Sequence, residues 1–160
     1  MLGRIKTTTD LASAASSADL IVEAATENKS VKETIFRTLA ASAPAHAILA
    51  SNTSSISITE IAAVTGRAGN VIGMHFMNPV PVMKLVELIR GQATSPESMA
   101  VASQLCATLG KTAVEAADYP GFIANRLQSA LTNEVIHLLD NGYATPAEID
   151  RAVKTGFGLR

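Results

Sequence analysis

Residues 70–91 read NVIGMHFMNPVPVMKLVELIRG, and the fold of the whole chain turns on how this stretch is read. Residues 70–76 and 84–91 are two short apolar runs, each of strand length, separated by a turn rich in proline. That turn is too short for the right-handed crossover a parallel pair requires, so the runs are expected to pair antiparallel. Alternation then puts Leu85, Glu87 and Ile89 on one face and Val86 and Leu88 on the other. A carboxylate among apolar neighbours is costly unless it has a partner. Either His75 on the neighbouring strand supplies that partner, or Glu87 lies at a solvated edge.

Around this hairpin the chain alternates. Residues 18–25 (ADLIVEAA), 46–51 (HAILAS) and 111–117 (KTAVEAA) read as further strands. Between them, residues 28–43 carry Val31, Ile35, Phe36 and Leu39 on one helical face, with Ser30 and Glu33 as an S-x-x-E capping signal. Residues 57–66 repeat that signal with Ser57 and Glu60, and residues 95–110 open on Ser-Pro and close on glycine. This order predicts an α/β fold, with a mostly parallel sheet covered by helices.

Beyond DYPGFIANRL the pattern becomes helical. Residues 121–141 present Ile123, Leu127, Ala130, Leu131 and Leu138 as a stripe, and residues 144–156 follow with a capping box at Thr145 and Glu148. A boundary is expected near Asp118–Pro120, dividing the chain into residues 1–118 and 119–160. Two helices with one apolar stripe cannot close a core, so the second part is expected to be incomplete or to depend on a partner.

Composition narrows the function classes. Of the 160 residues, 48% are hydrophobic and 17% charged, with a net charge of -1. That describes a folded chain without the basic surface that nucleic acid demands. Cys106 is the sole cysteine and lies in an apolar helical pattern, so it reads as core. It leaves no route to an intramolecular disulfide, and no metal site is expected. Apolar runs fall short of the ~20 residues of a membrane span, and the first residues carry no signal-peptide pattern. A soluble, cytoplasmic protein is the expectation.

Ligands of open parallel sheets bind outside the carboxyl ends of the strands. There the sequence places Glu27 and Asn28, the serines and threonine of residues 51–55, His75 and Asn78. The bland readings stand beside this: SNTSS can simply cap a helix, and His75 can be a hydrogen-bonded structural residue. A histidine with a carboxylate behind it is also an acid–base device, with His75 as base and Glu87 as its orienter. Asn125 lies opposite the apolar stripe of its helix, facing either a cleft or water.

VEAATEN (22–28), ILASNTSS (48–55), GMHFMNPVPVMKLVELI (73–89) and DYPGFIANRL (118–127) together resemble the L-3-hydroxyacyl-CoA dehydrogenase family, 3-hydroxybutyryl-CoA dehydrogenases included. The resemblance runs from about Thr8 to Arg160. It implies NAD-dependent oxidation of the 3-hydroxyl of an acyl-CoA to a ketone. It also implies a Rossmann-type domain followed by a helical domain that makes a dimer. By the same resemblance His75 is the base and Glu87 its orienting carboxylate, and Ser54 and Asn125 hold the substrate. Glu27, Lys32, Ser54 and Asn78 are implied contacts of the cofactor.

The chain departs from that pattern in two respects: the cofactor's phosphate grip is missing, and so are the helices expected to follow GFGLR (156–160). The strand, G-x-G-x-x-G turn and helix that grip a pyrophosphate do not occur in it, and Gly156 and Gly158 follow a helix instead of preceding one. The expectation is an internal fragment: the later part of the dinucleotide domain and the start of the helical one. Two readings follow. In the first, the residues present display the dehydrogenase chemistry. In the second, this polypeptide alone is non-catalytic, binds NAD weakly and self-associates.

Overall fold

The computed structural model describes residues 2–158. Five strands, β1 (Leu20–Glu23), β2 (Ile48–Ser51), β3 (Val71–Phe76), β4 (Leu85–Arg90) and β5 (Thr112–Ala117), form one sheet in sequence order. β1, β2 and β3 run parallel, β4 is antiparallel to β3, and β5 is parallel to β4. The hairpin read from residues 70–91 is therefore present, with His75 directly opposite Glu87.

Strand alternation sorts the side chains into two layers. Leu49, Val71 and Ile89 join Phe36 and Leu39 of α2 (Lys29–Ser42) and Ile58 and Ile61 of α3 (Ile58–Ala63) on one face. Ile48, Ala50, Ile72, Met74, Val86 and Leu88 meet Met99, Ala102 and Cys106 of α4 (Pro96–Thr108) on the other. His75 and Glu87 are in phase with Gly73 and Ile89, so they belong to the α3 side. At the Gly73–Ile89 pair a Cβ on residue 73 would lie 2.7 Å from Ile89 Cβ and 3.0 Å from Ile58 Cγ1. Glycine there lets α3 close down on the hairpin.

Helix caps agree with the sequence at three places and differ at one. Ser57 accepts from Glu60 N, Ser95 from Ser98 N with Pro96 in the first turn, and Thr145 and Glu148 form a reciprocal capping box. For α2 the cap is Asn28, not Ser30. Asn28 is extended (φ -133, ψ 119) and its side chain accepts from Val31 N, whereas Ser30 is already inside the helix. An N-cap must have non-helical backbone, and only Asn28 does. A short α1 (Leu11–Ala15), capped by Asp10, was not foreseen. Five residues are too few to show a periodicity.

Contacts divide the chain into a first unit ending at Phe122 and a second beginning at Ile123. The second holds α5 (Ala124–Asp140) and α6 (Pro146–Gly156). Among the described residues of these helices, only Ile149 is buried. The predicted stripe is largely open, with Leu127 68% exposed. No helix of the described residues is long and apolar enough to cross a membrane.

Candidate active site

The centre of the site is the β3–β4 pair. His75 Nδ1 lies 2.8 Å from Glu87 Oε2, and both side chains are buried. Glu87, 1% exposed, does not lie at a solvated edge. With Glu87 as the carboxylate, a pure acceptor, the imidazole proton sits on Nδ1 and the lone pair on Nε2. Ser54 Oγ stands 3.2 Å from that Nε2. The free lone pair thus points toward the rim where the strands end.

Ser54 reaches this position because its loop is pinned at both ends. Asn52 Oδ1 accepts the N–H of Phe76 at 2.8 Å, tying the end of β2 to the end of β3. Glu27 Oε1 gathers the Thr53 hydroxyl and the N–H groups of Ser54 and Ser55, at 2.5, 2.9 and 3.1 Å. Burial pushes the Glu27 pKa up. The Thr53, Ser54 and Ser55 hydrogen bonds and the Lys32 charge together outweigh it and hold the carboxyl below its usual value.

Behind Glu27 lies a buried cluster that the sequence did not reveal. Lys32, 1% exposed, donates to both oxygens of Glu23 at 2.7 and 2.9 Å and approaches Glu27 Oε2 at 3.7 Å. Glu23 also accepts from Ser51 Oγ and from Ala25 N. Lys32 therefore acts on the rim through two carboxylates, without an exposed ammonium of its own. Ser51 was among the rim candidates of residues 51–55, but Glu23 closes an apolar strand and did not stand out in one dimension. A second unforeseen carboxylate, Asp118, accepts four hydrogen bonds from Ser57, Ile58 and Thr59 at the start of α3.

Asn78 is exposed on the turn between β3 and β4. The ammonium of Lys111 caps the carbonyls of Val80 and Met83 in this same turn. Asn125, half-buried, lies in the first turn of α5 and belongs to the second unit. The structure thus brings together His75, Glu87, Ser54, Glu27 and Lys32. A proton acceptor, its orienting carboxylate and a hydroxyl at hydrogen-bonding distance are the parts of a general-base site.

Residues 1–119 match the family model described as the NAD binding domain of 3-hydroxyacyl-CoA dehydrogenase, and residues 121–160 match the one for its C-terminal domain. A probable 3-hydroxybutyryl-CoA dehydrogenase of Bacillus subtilis is 55% identical over 139 residues, covering 87% of this chain and 48% of that protein. The mitochondrial hydroxyacyl-coenzyme A dehydrogenase of Homo sapiens is 46% identical over 157 residues, covering 98% of this chain and 50% of that protein. The solved (S)-3-hydroxybutyryl-CoA dehydrogenase of Ralstonia eutropha superposes with a TM-score of 0.93 at 46% identity, covering 99% of this chain and 56% of that one. The chain spans about half the length of the curated relatives it matches.

Proposed function

Since this chain belongs to the 3-hydroxyacyl-CoA dehydrogenase family, we propose that its site serves the NAD-dependent oxidation of an L-3-hydroxyacyl-CoA to the 3-oxoacyl-CoA, in cytoplasmic acyl-CoA or fatty-acid metabolism. The observation that carries this reading is the His75–Glu87 pair with Ser54 at the free nitrogen. His75 Nε2 takes the proton of the substrate hydroxyl. Glu87 holds the ring in the tautomer that leaves Nε2 free, and it stabilises the imidazolium that forms. Ser54 Oγ hydrogen-bonds the reacting oxygen.

The donor set at the rim fits a dinucleotide's hydroxyl and amide groups. Glu27 has a carboxylate side chain that is 42% exposed, and Asn78 offers an exposed amide. These two would hold the cofactor, with Lys32 keeping Glu27 in place. The bound NAD supplies the hydride acceptor.

The test grafts residues 8–160 into the corresponding region of the Ralstonia eutropha enzyme and follows NADH formation from (S)-3-hydroxybutyryl-CoA. Turnover should fall by ~10²–10⁴ in His75→Gln and in Glu87→Gln, the range typical of lost general-base catalysis. Turnover in His75→Gln close to that of the unaltered graft would refute the assignment.

A second reading has its own support. Leu127, Ile136 and Phe157 of the second unit are 68%, 49% and 71% exposed. Where exposed apolar side chains form a contiguous patch, they mark an interface. On this reading the isolated 160-residue polypeptide self-associates through its helical unit, with weak NAD binding and little turnover.

A further inference from the structure

Phe122 is the last residue of the first unit and one of two successive residues with left-handed backbone. Gly121 has φ 78, as glycine readily does, but Phe122 has φ 47, which a Cβ disfavours. The residue is nevertheless locked. Its N–H donates to the Tyr119 carbonyl at 2.8 Å, and its side chain is only 4% exposed. An unfavourable backbone kept in place by its surroundings is a pointer to function.

The ring of Phe122 lies against the imidazole of His75, with centroids 5.6 Å apart and planes at 61°, an edge-on contact. The hydrogen-bonding partners of that imidazole come from two other elements. Glu87 on β4 holds Nδ1, and Ser54 on the loop after β2 approaches Nε2. A phenyl ring cannot hydrogen-bond either nitrogen, so it leaves both of those contacts intact. What it adds is an apolar wall, which keeps water off the ring and strengthens the His75–Glu87 interaction by lowering the local dielectric. An edge-on contact also restricts rotation of the imidazole plane.

We propose that Phe122 is a positioning residue for His75, shielding the Nδ1–H to Glu87 hydrogen bond from water and fixing the ring so that Nε2 stays aimed at Ser54. The inference rests on the reading of His75 as the base. It also connects that base to the segment joining the two units, because the shielding ring and the start of α5 are neighbours in sequence.

The test reads the hydrogen bond and does not use turnover, so its failure leaves the role of His75 as base standing. In the ¹⁵N-labelled 160-residue chain, the His75 Nδ1–H proton should give a resolved downfield signal that exchanges slowly with water. Two variants separate ring from backbone: Phe122→Gly suits the left-handed conformation but removes the ring, and Phe122→Leu keeps apolar volume without an aromatic edge. With β3 and β4 amide signals unchanged, exchange of the Nδ1–H should be roughly tenfold faster or more in Phe122→Gly, with Phe122→Leu between, as a water-exposed polar pair requires. An absent Nδ1–H signal in the parent chain, or unchanged exchange in folded Phe122→Gly, overturns the proposal. Loss of fold in both variants assigns the ring to the core alone and overturns it equally.

Discussion

Replacing Asp118 by asparagine tests how the end of β5 is bound to the loop system that carries Ser54. Asp118 Oδ2 accepts from Ser57 Oγ, Thr59 N and Thr59 Oγ1 at 2.7, 2.8 and 2.6 Å, and Oδ1 accepts from Ile58 N at 2.9 Å. An amide can place its oxygen among the three donors, but its NH₂ then faces the Ile58 N–H, donor against donor. One bond is lost outright and three lose the reinforcement of a charged acceptor. A hydrogen bond to a charged group contributes ~1.5–3 kcal/mol and a neutral one ~0.5–1.5. Because Asp118 is only partly buried and the terms overlap, a cost of about 2–3 kcal/mol at pH 7 is expected.

The pH dependence follows from the direction of the shift. Burial raises the Asp118 pKa, but the Thr59, Ser57 and Ile58 hydrogen bonds together outweigh it, so the folded value lies below the ordinary one. A depressed carboxyl pKa contributes stability that is fully present above the unfolded value, near ~4, and lost as pH falls through the folded value. The gap between parent and Asp118→Asn should therefore be widest at neutral pH and shrink in acid. Urea unfolding followed by circular dichroism at a series of pH values measures it, with hydrogen exchange of the Ile58 amide as the local probe. A gap below about 0.5 kcal/mol at pH 7, the level of an ordinary surface substitution, would refute the reasoning. So would a gap that does not change with acid.

Gly73→Ala should cost about 1–3 kcal/mol in urea unfolding, because the new Cβ meets the Cβ of Ile89, which cannot swing away. Lys32→Met should cost about 3–5 kcal/mol by leaving the Glu23 carboxylate buried without its cation; adding Glu23→Gln should recover much of that in the same assay. For the helical unit, light scattering should report self-association of the 160-residue chain, and Leu131→Glu should shift it toward monomer. A monomeric parent chain would remove the case for that surface as an interface.

Much of the sheet was legible in one dimension because burial imposes period and punctuation. The runs at 70–76 and 84–91, with too short a turn between them, are compatible only with an antiparallel pair in an otherwise parallel order, and β3 and β4 pair that way. Ser57, Ser95 and Thr145 announced their helices because a capping side chain acts within a few residues of itself. The conjunction of His75 and Glu87 could be framed from alternation alone, since register on one face of a hairpin is a local property. Glu23, Ser51, Lys32 and Asp118 could not be sorted this way. Their partners lie 9, 28 and up to 61 residues away, and nothing in a strand end or a turn says which distant donor will arrive. Phe122 was hidden for the same reason: its neighbour in sequence is a glycine turn, and its contact with His75 exists only once β3 and the end of β5 lie in the same sheet. Sequence determines what each segment can form, through steric and hydrophobic preferences that act over a turn or two. Which polar groups then share one buried rim is decided by packing, where the cost of an unpaired charge selects the arrangement that satisfies all of them at once.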